Sequence, residues 1–264
     1  MSESLAQKVA RIRKSEGLMS VGIRAVKSLV RRITAPFAMF YYADIKGELD
    51  AEMKTNATPE STLDFTFNKL GGIIQPFQHK DEMIRLAKLA AEKKPKTVVE
   101  IGTARGGTLF MLARLASPDA LIVSIDLPGG EYGGGYPAWK APYYRRFASK
   151  TQRIELMRDN SHDAKTVEKL EKILGGKKID LLFIDGDHTY EGVKRDYEIY
   201  SPLVRDGGVI SFHDVSEHLP ELDCHVEPFW KEVRQGKKFE EFITASKDPK
   251  DRWGGIGVLF KGTH

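Results

Sequence analysis

The chain has 264 residues, of which 41% are hydrophobic and 30% are charged, and it contains a single cysteine. This length suffices for one or two domains with a sizeable core, and the composition excludes a disordered or fibrous protein. One cysteine, Cys224, excludes an intramolecular disulfide and a cysteine-cluster metal site. These features favour a reducing, cytoplasmic location.

The net charge of +4 is unevenly distributed, because residues 1–46 carry +6 and the rest of the chain carries −2. A protein that coats nucleic acid is therefore not expected. The sequence shows no signal-peptide pattern, and charged residues interrupt the apolar runs before the roughly 18 residues that a membrane-spanning helix needs.

The N-terminal region, residues 1–77, is predicted to be a helical arm followed by a connector. Between Leu5 and about Arg32, apolar residues recur every three or four positions with basic residues between them, which indicates one or two amphipathic helices. Residues 35–76 are irregular and are interpreted as the connector. Three roles are open for the basic arm, and packing across a homo-oligomer interface ranks first among them. The arm could instead lie on an anionic membrane surface, as in a membrane-peripheral protein, or cover an acceptor site.

Residues 78–264 alternate between helical and strand patterns and form the second predicted domain. The strands are unbroken runs of Val, Ile and Leu, typical of parallel strands covered by helices on both faces. Two strands near the C-terminus indicate an antiparallel hairpin at one sheet edge. The predicted fold class is α/β, a doubly wound, Rossmann-like, mostly parallel sheet of seven strands. The predicted helices are 81–93, 107–116, 163–174 and 190–203, and the predicted strands are 97–102, 121–126, 154–158, 179–185, 208–212, 239–244 and 257–260.

A long glycine-rich and aromatic segment, Pro128–Tyr144, follows the second strand. Its composition and position predict a mobile lid whose aromatic rings, Trp139, Tyr143 and Tyr144 among them, stack on a sugar ring or a planar acceptor. A disordered surface loop is the alternative interpretation.

Ligands of an open parallel sheet bind beyond the carboxyl ends of its strands. The first strand is followed by a glycine turn with Gly102 and Gly106, which lets the backbone approach a ligand before a helix begins. Its spacing is neither that of a P-loop nor G-x-G-x-x-G, and a plain tight turn is the alternative. The second strand ends at Asp126, which can accept hydrogen bonds from ribose hydroxyls. Together these features predict a site for an adenosyl cofactor.

These motifs resemble those of the class I S-adenosylmethionine (SAM)-dependent methyltransferases. The shared features are a Glu-x-Gly-x-x-x-Gly motif that begins at Glu100, an acid at the end of the second strand, the polar segment Asp159–Ser161 after the third, and the edge hairpin. Residues 179–215, IDLLFIDGDHTYEGVKRDYEIYSPLVRDGGVISFHDV, are similar to the branch that contains cephalosporin-hydroxylase-like proteins and macrolide-sugar O-methyltransferases. The resemblance covers about residues 78–262 and implies SAM as the cofactor.

By this resemblance the glycine turn faces the methionine part of SAM, Glu100 supports that turn, and Asp126 holds the ribose. Polar residues after the third strand border the adenine. Two positions depart from the family pattern, since Ala104 replaces a middle glycine and Asn160 replaces an aspartate. The implied cofactor-binding residues are Glu100, Gly102, Thr103, Gly106, Asp126, Asn160 and Ser161.

The chemistry is expected at the rim, the carboxyl edge of the sheet after strands four and five. Methyl transfer to an alcohol requires removal of the hydroxyl proton, for which a histidine base and a divalent cation are the usual means. The resemblance implies His188 as the base and Asp185, His213 and Asp214 as ligands of a divalent cation, Mg²⁺ or Mn²⁺. His213 replaces a glutamate of the family, and imidazole suits zinc, manganese or iron better than magnesium.

Other interpretations of the rim residues are open. Asp185 and Asp187 precede a helix, where aspartate commonly caps the first turn. His213 could be a packed histidine bonded to Asp214. Surface or loop positions are expected for His162, His218 and His225.

The sequence therefore predicts a SAM-dependent O-methyltransferase, assisted by a divalent metal, that methylates a hydroxyl of a sugar or glycosylated natural product. Its expected partner is a small-molecule or glycan acceptor. A metal-dependent hydrolase or oxygenase on the same fold is one alternative, and a non-catalytic, cofactor-binding interaction module is the other.

Overall fold

The computed structural model describes residues 46–129, 135–219, 223–245 and 253–262. Residues 51–264 form one compact unit, and of the preceding unit the structure describes residues 46–50, which are helical. The predicted amphipathic helices of the basic arm lie outside the described residues. The domain division at residue 77, the role of the arm and the oligomeric state therefore stay predictions.

Seven strands form one sheet with the order β3-β2-β1-β4-β5-β7-β6. The first five strands run parallel, and β7 pairs antiparallel with both β5 and β6. The predicted fold class, including the antiparallel edge hairpin, is confirmed. The strands are β1 (Thr97–Ile101), β2 (Leu121–Ile125), β3 (Arg153–Met157), β4 (Ile179–Ile184), β5 (Val204–His213), β6 (Phe239–Phe242) and β7 (Ile256–Phe260).

The four predicted helices are present, and their ends differ from the predicted bounds by at most three residues. The last of them ends in a 3₁₀ turn, Ser201–Leu203. Three further α-helices after residue 52 are absent from the prediction. The α-helices in the described residues after residue 52 are α1 (Pro59–Asn68), α2 (Lys80–Lys93), α3 (Gly107–Leu115), α4 (Ala141–Tyr144), α5 (Ala164–Leu174), α6 (Tyr190–Tyr200) and α7 (Val226–Val233).

Helix α1 lies within residues 35–76, whose sequence predicts an irregular connector. Thr58 caps its N-terminus, because the Thr58 hydroxyl accepts a hydrogen bond from the Ser61 amide at 3.1 Å, and Pro59 occupies the first turn. Its buried face includes Thr62 and Thr66 beside two apolar residues, so the apolar stripe is weak. The helix packs on α2 and α3, and this tertiary packing stabilises it.

Successive strand residues point to opposite faces of the sheet, and helices cover both of these faces. Val99, Val123 and Leu182 belong to one apolar cluster with residues of α5, α6 and α7. Helices α2 and α3 contact each other and α1. All positions of β1 and β2 are buried, as unbroken apolar runs predict.

The strand order reverses between β1 and β4, and this reversal positions the site. The Asp185 amide donates to the Ile101 carbonyl at 2.8 Å, and the Gly102 amide donates to the Ile125 carbonyl at 2.9 Å. The residues that follow β1, β2 and β4 therefore leave the sheet side by side. A crevice at such a reversal is where ligands of doubly wound sheets bind.

Within the described part of the chain, no helix combines the length and the hydropathy that crossing a bilayer requires.

We predict that Gly257→Ala destabilises the fold through the packing of β7 on α7. A Cβ atom at Gly257 would lie 2.7 Å from the Trp230 ring, and Trp230 is buried. Overpacking of this kind costs about 1–3 kcal/mol, measurable as a lower free energy of unfolding in urea. Gly47→Ala is the matched control, because Gly47 is helical and exposed with no atom near the added Cβ. Equal stability of the Gly257→Ala variant and the wild type would contradict this packing.

Candidate active site

Four residues predicted for the rim lie together in the structure. Asp185 and His188 follow β4, His213 ends β5, and Asp214 comes next. His213 Nδ1 is 3.1 Å from Asp185 Oδ1 and 3.2 Å from Asp214 Oδ1. His188 Nδ1 is 2.5 Å from Asp214 Oδ2, and its Nε2 is 4.0 Å from Asp185 Oδ1. The parallel strands thus bring two carboxylates and two imidazoles to one edge of the sheet.

The imidazoles and carboxylates of the rim shift one another's pKa values toward the charged forms. Burial opposes the charged form of His213, but the Asp214 and Asp185 carboxylates outweigh it and raise the pKa of His213 well above its usual value. Burial also opposes the charged form of His188, yet hydrogen bonds with Asp214 and Cys224 raise the pKa of His188 to about 10. In Asp214, contacts with the imidazoles overcome burial and hold the carboxyl pKa well below its usual value. The rim histidines and Asp214 therefore favour one another's charged forms.

Two more side chains complete the surroundings of these acids and are absent from the prediction. The Gln78 amide donates to Asp185 Oδ2 at 2.6 Å. His218 Nε2 lies 3.0 Å from Asp214 Oδ1, and its side chain is 5% exposed. His218 is in a loop, as expected, and its contact with Asp214 buries the imidazole. Residues 214–219 are not helical, so no local periodicity indicates this pair.

Cys224 also reaches the rim, since its thiol shares hydrogen bonds with the side chains of His188 and His218. Burial opposes ionisation of the thiol, but these two hydrogen bonds outweigh it and lower the pKa of Cys224. Nothing local in the sequence places this residue near strand four, because the contact joins segments far apart in the chain.

The two aspartates after β4 have different surroundings. Asp187 Oδ1 accepts hydrogen bonds from the Thr189 amide at 2.9 Å and from the Thr189 hydroxyl at 2.8 Å. Thr189 in turn caps α6, because its hydroxyl accepts from the Gly192 amide at 3.0 Å. Asp187 thus holds Thr189, the residue that caps the helix, and does not itself form the cap, whereas Asp185 faces the rim.

The rim residues fit a divalent cation by their chemistry. Asp185, His213 and Asp214 each offer one ligand atom, and these atoms lie within 4.8 Å of one another. Two carboxylate oxygens and one imidazole nitrogen suit manganese or zinc better than magnesium. His213 Nε2 is buried with no hydrogen-bond partner among the described residues, so the ring relies on its Nδ1 side.

The glycine turn after β1 is held by a buried polar cluster. The Thr103 hydroxyl donates to Glu100 Oε2 at 2.7 Å and also contacts the Ser124 hydroxyl. Glu100 is fully buried, and burial together with the Asp126 and Asp185 carboxylates raises its pKa well above the usual range. Its Oε1 has no hydrogen-bond partner in the part of the chain that the structure describes. A polar ligand in the turn would satisfy this atom, which fits a cofactor with an amino group.

Asp126 lies beside this turn and is covered by the end of the glycine-rich segment. The Tyr136 amide donates to Asp126 Oδ2 at 2.8 Å. Burial raises the pKa of Asp126, while backbone hydrogen bonds from Tyr136, Thr103 and Ala104 oppose the rise. A carboxylate has about four acceptor positions. The predicted ribose contact must therefore share Asp126 with these backbone amides.

The predicted substrate-facing role of Tyr144 is wrong. Tyr144 is fully buried, and its hydroxyl donates to the Ala104 carbonyl at 3.0 Å. Its ring packs edge-on against Tyr136, with centroids 4.8 Å apart. Ring packing thus buries both rings beneath the glycine turn instead of over an acceptor. Residues 130–134 of the segment lie outside the described residues.

Asn160 and Ser161 follow β3, where the resemblance puts the adenine. Asn160 Oδ1 accepts from the His162 amide at 2.9 Å, and the Ser161 carbonyl accepts from the Tyr200 hydroxyl at 2.6 Å. These bonds hold the loop against α6. Their contact with a cofactor stays a prediction.

His162 lies in a turn, as expected, and is partly buried because it pairs with a buried acid. His162 Nε2 lies 3.2 Å from Asp196 Oδ1, and the Asp196 side chain is fully buried. The contact with Asp196 raises the pKa of His162 above its usual value. The imidazolium is the form that compensates the buried carboxylate.

We predict that the stabilising effect of His162 depends on pH. Because the folded pKa is raised, the contribution is fully present below the unfolded pKa of about 6.5 and is lost as the pH rises through the folded pKa. The free energy of unfolding lost in His162→Gln should therefore be larger at low pH than at high pH. In an Asp196→Asn background the same substitution should lose this pH dependence, and a pH-independent loss in both backgrounds would refute the pairing.

Comparison with known proteins supports the prediction of a methyltransferase. Residues 99–215 match a family model described as a methyltransferase domain. An uncharacterised protein of Acanthamoeba polyphaga mimivirus is 32% identical over 158 residues, which are 56% of this chain and 67% of that protein.

Two solved structures share the fold. The O-methyltransferase from Bacillus cereus in complex with S-adenosylhomocysteine (SAH) is 20% identical, with 76% of this chain and 91% of that chain covered and a TM-score of 0.50. MycE methyltransferase of the mycinamycin biosynthetic pathway, in complex with Mg and SAH, is 15% identical. The match covers 79% of this chain and 56% of that chain, with a TM-score of 0.50. Residues 99–215 thus form a methyltransferase domain, and the chain has the fold of the class I SAM-dependent O-methyltransferases.

Proposed function

We propose that this protein transfers the methyl group of SAM to a hydroxyl of a sugar or glycosylated natural product, with a divalent cation at the rim. The observation that carries the proposal is the convergence of His188, Asp185, His213 and Asp214 beside the glycine turn. These groups supply the two means of activating a hydroxyl, a base and a cation site.

His188 is the proposed base. Its Nδ1 is held by Asp214, which leaves Nε2 on the Asp185 side of the rim. The same pairing raises the pKa of His188 to about 10, so the imidazole keeps its proton at neutral pH while Asp214 is fully engaged with it. The base therefore becomes available only when the Asp214 carboxylate is drawn to another partner.

Asp185, His213 and Asp214 are the proposed ligands of the cation. A cation bound there would lower the pKa of a coordinated hydroxyl. Gln78 orients Asp185 by donating to Oδ2, which leaves Oδ1 toward His213. Because Asp214 serves both this site and His188, ligation and release of the base are linked through one side chain.

The acceptor class rests on the similarity of residues 179–215 to the sugar O-methyltransferase branch. The likeness to MycE, which was solved with Mg and SAH, agrees with a metal-assisted reaction on the same fold. The proposed acceptor is therefore a hydroxylated sugar, free or attached to a natural product.

Calorimetric titration with SAH tests the cofactor, first on metal-stripped protein and then with Mg²⁺ or Mn²⁺ added. Micromolar affinity, worth about 8 kcal/mol, is expected. Labelled SAM is then incubated with sugars and glycosylated compounds, and label in the acceptor is measured. Binding of SAH without transfer to any acceptor would favour the non-catalytic module, and acceptor hydrolysis or oxidation without methyl transfer would favour the other enzyme classes.

We predict that His188→Ala abolishes turnover and leaves SAH affinity nearly unchanged. Loss of a general base lowers kcat by about 10²–10⁴-fold, whereas the imidazole belongs to the rim and not to the cofactor turn. Turnover is measured with labelled SAM and affinity by calorimetry. His225→Ala is the matched control, because the His225 side chain is 58% exposed. Near-normal turnover of His188→Ala would remove the base assignment.

We predict that Gly102→Ala weakens SAH binding at least about tenfold, which corresponds to 1.4 kcal/mol. Gly102 has φ +87°, and a Cβ there would overlap the Asp185 carbonyl oxygen, so the turn must move. Ala104→Gly is the matched control, since Ala104 already has φ +45° and glycine adopts it without strain. Thermal unfolding of both variants separates a displaced turn from an unfolded chain, and unchanged affinity in folded Gly102→Ala would contradict the geometry.

A further inference from the structure

Three different donor atoms converge on the side of the rim away from Asp185. His188, Asp214 and Cys224 each offer one ligand atom, and these atoms lie within 4.8 Å of one another. His188 Nδ1 is 2.5 Å from Asp214 Oδ2, and the Cys224 thiol is hydrogen-bonded to the imidazole of His188. The set combines a nitrogen, an oxygen and a sulfur.

The backbone holds these donors in place from three separate segments. The His225 amide donates to the His188 carbonyl at 2.8 Å, which fixes the segment before α7 against the segment after β4. Asp214 has φ +63°, a left-handed conformation that few residues other than glycine adopt. Its side chain is nearly buried. The cluster is thus built by the fold.

The sulfur decides which metal this set prefers. Magnesium and calcium take hard oxygen ligands, whereas thiolate selects zinc and similar metals. Three protein ligands leave the fourth position of a tetrahedral zinc site open. The set of Asp185, His213 and Asp214 shares Asp214 with this set but has no sulfur, so only the set with Cys224 has the preference of a thiolate for zinc over manganese.

We propose that His188, Asp214 and Cys224 form a binding site for a thiophilic divalent metal of the zinc class, and that its occupation inhibits methyl transfer. Ligation through Nδ1, the nitrogen that faces Asp214, leaves the ring proton on Nε2, so the imidazole accepts no further proton. The metal also takes the Asp214 carboxylate from the other set. The inhibition rests on the proposed function, whereas the binding does not.

Titration of the metal-stripped full chain with Co²⁺ tests the binding, because a cobalt–thiolate bond produces charge-transfer absorption in the near ultraviolet. Wild type should show this absorption, Zn²⁺ should abolish it, and excess Mg²⁺ should leave it. Cys224→Ser removes the only thiol of the chain and should abolish the absorption. His225→Ala, which changes the exposed neighbour, should retain it. Absence of the absorption in wild type would overturn the site.

Calorimetry with Zn²⁺ gives a second readout. Loss of an outer-sphere partner already lowers metal affinity by about 10–100-fold, so loss of the Cys224 ligand should lower it by more than about 100-fold. Equal zinc affinity of wild type and Cys224→Ser would overturn the assignment of Cys224.

The inhibition is tested as the ratio of methyl transfer with and without Zn²⁺ in each variant, assayed with Mn²⁺ present. Zinc should suppress transfer in wild type and have little effect in Cys224→Ser. Charge-transfer absorption without inhibition in wild type would overturn the inhibitory role. Failure of the proposed function would instead appear as no transfer in any metal condition, with the absorption intact.

Discussion

The candidate site depends on one close contact, where the turn after β1 meets the first residue after β4. Gly102 faces the carbonyl oxygen of Asp185 so closely that no side chain fits between them. Because the strand order reverses at these two strands, the loops part beyond this contact and open a crevice. One backbone contact therefore sets the distance between the cofactor turn and the acid that begins the rim.

A second constraint is the sharing of Asp214 among three imidazoles. His188, His213 and His218 all contact its carboxylate, which is nearly buried. A buried carboxylate requires partners, and here all three are imidazoles. The protonation of the proposed base and the two proposed metal sites are thus linked through this side chain.

Local patterns predicted much of the fold, and in some places they were misleading. The parallel strands and four helices follow from apolar runs and periodicity within about ten residues. Helix α1 was not predicted because threonines interrupt its buried face, although Thr58 and Ser61 form a capping box. Tyr144 was misplaced because glycine-rich neighbours suggested a lid, whereas ring packing and a bond to Ala104 bury it.

The sequence by itself determined the fold class, the glycine turn and the acids and histidines that follow strands four and five. It could do so because these features are written in short segments and because parallel strands end at a common edge. Only the tertiary structure decided that Gln78, His218 and Cys224 join that edge, and that Asp187 bonds to the helix cap Thr189 while Asp185 faces the rim. Those contacts depend on how distant segments pack, which no local pattern encodes.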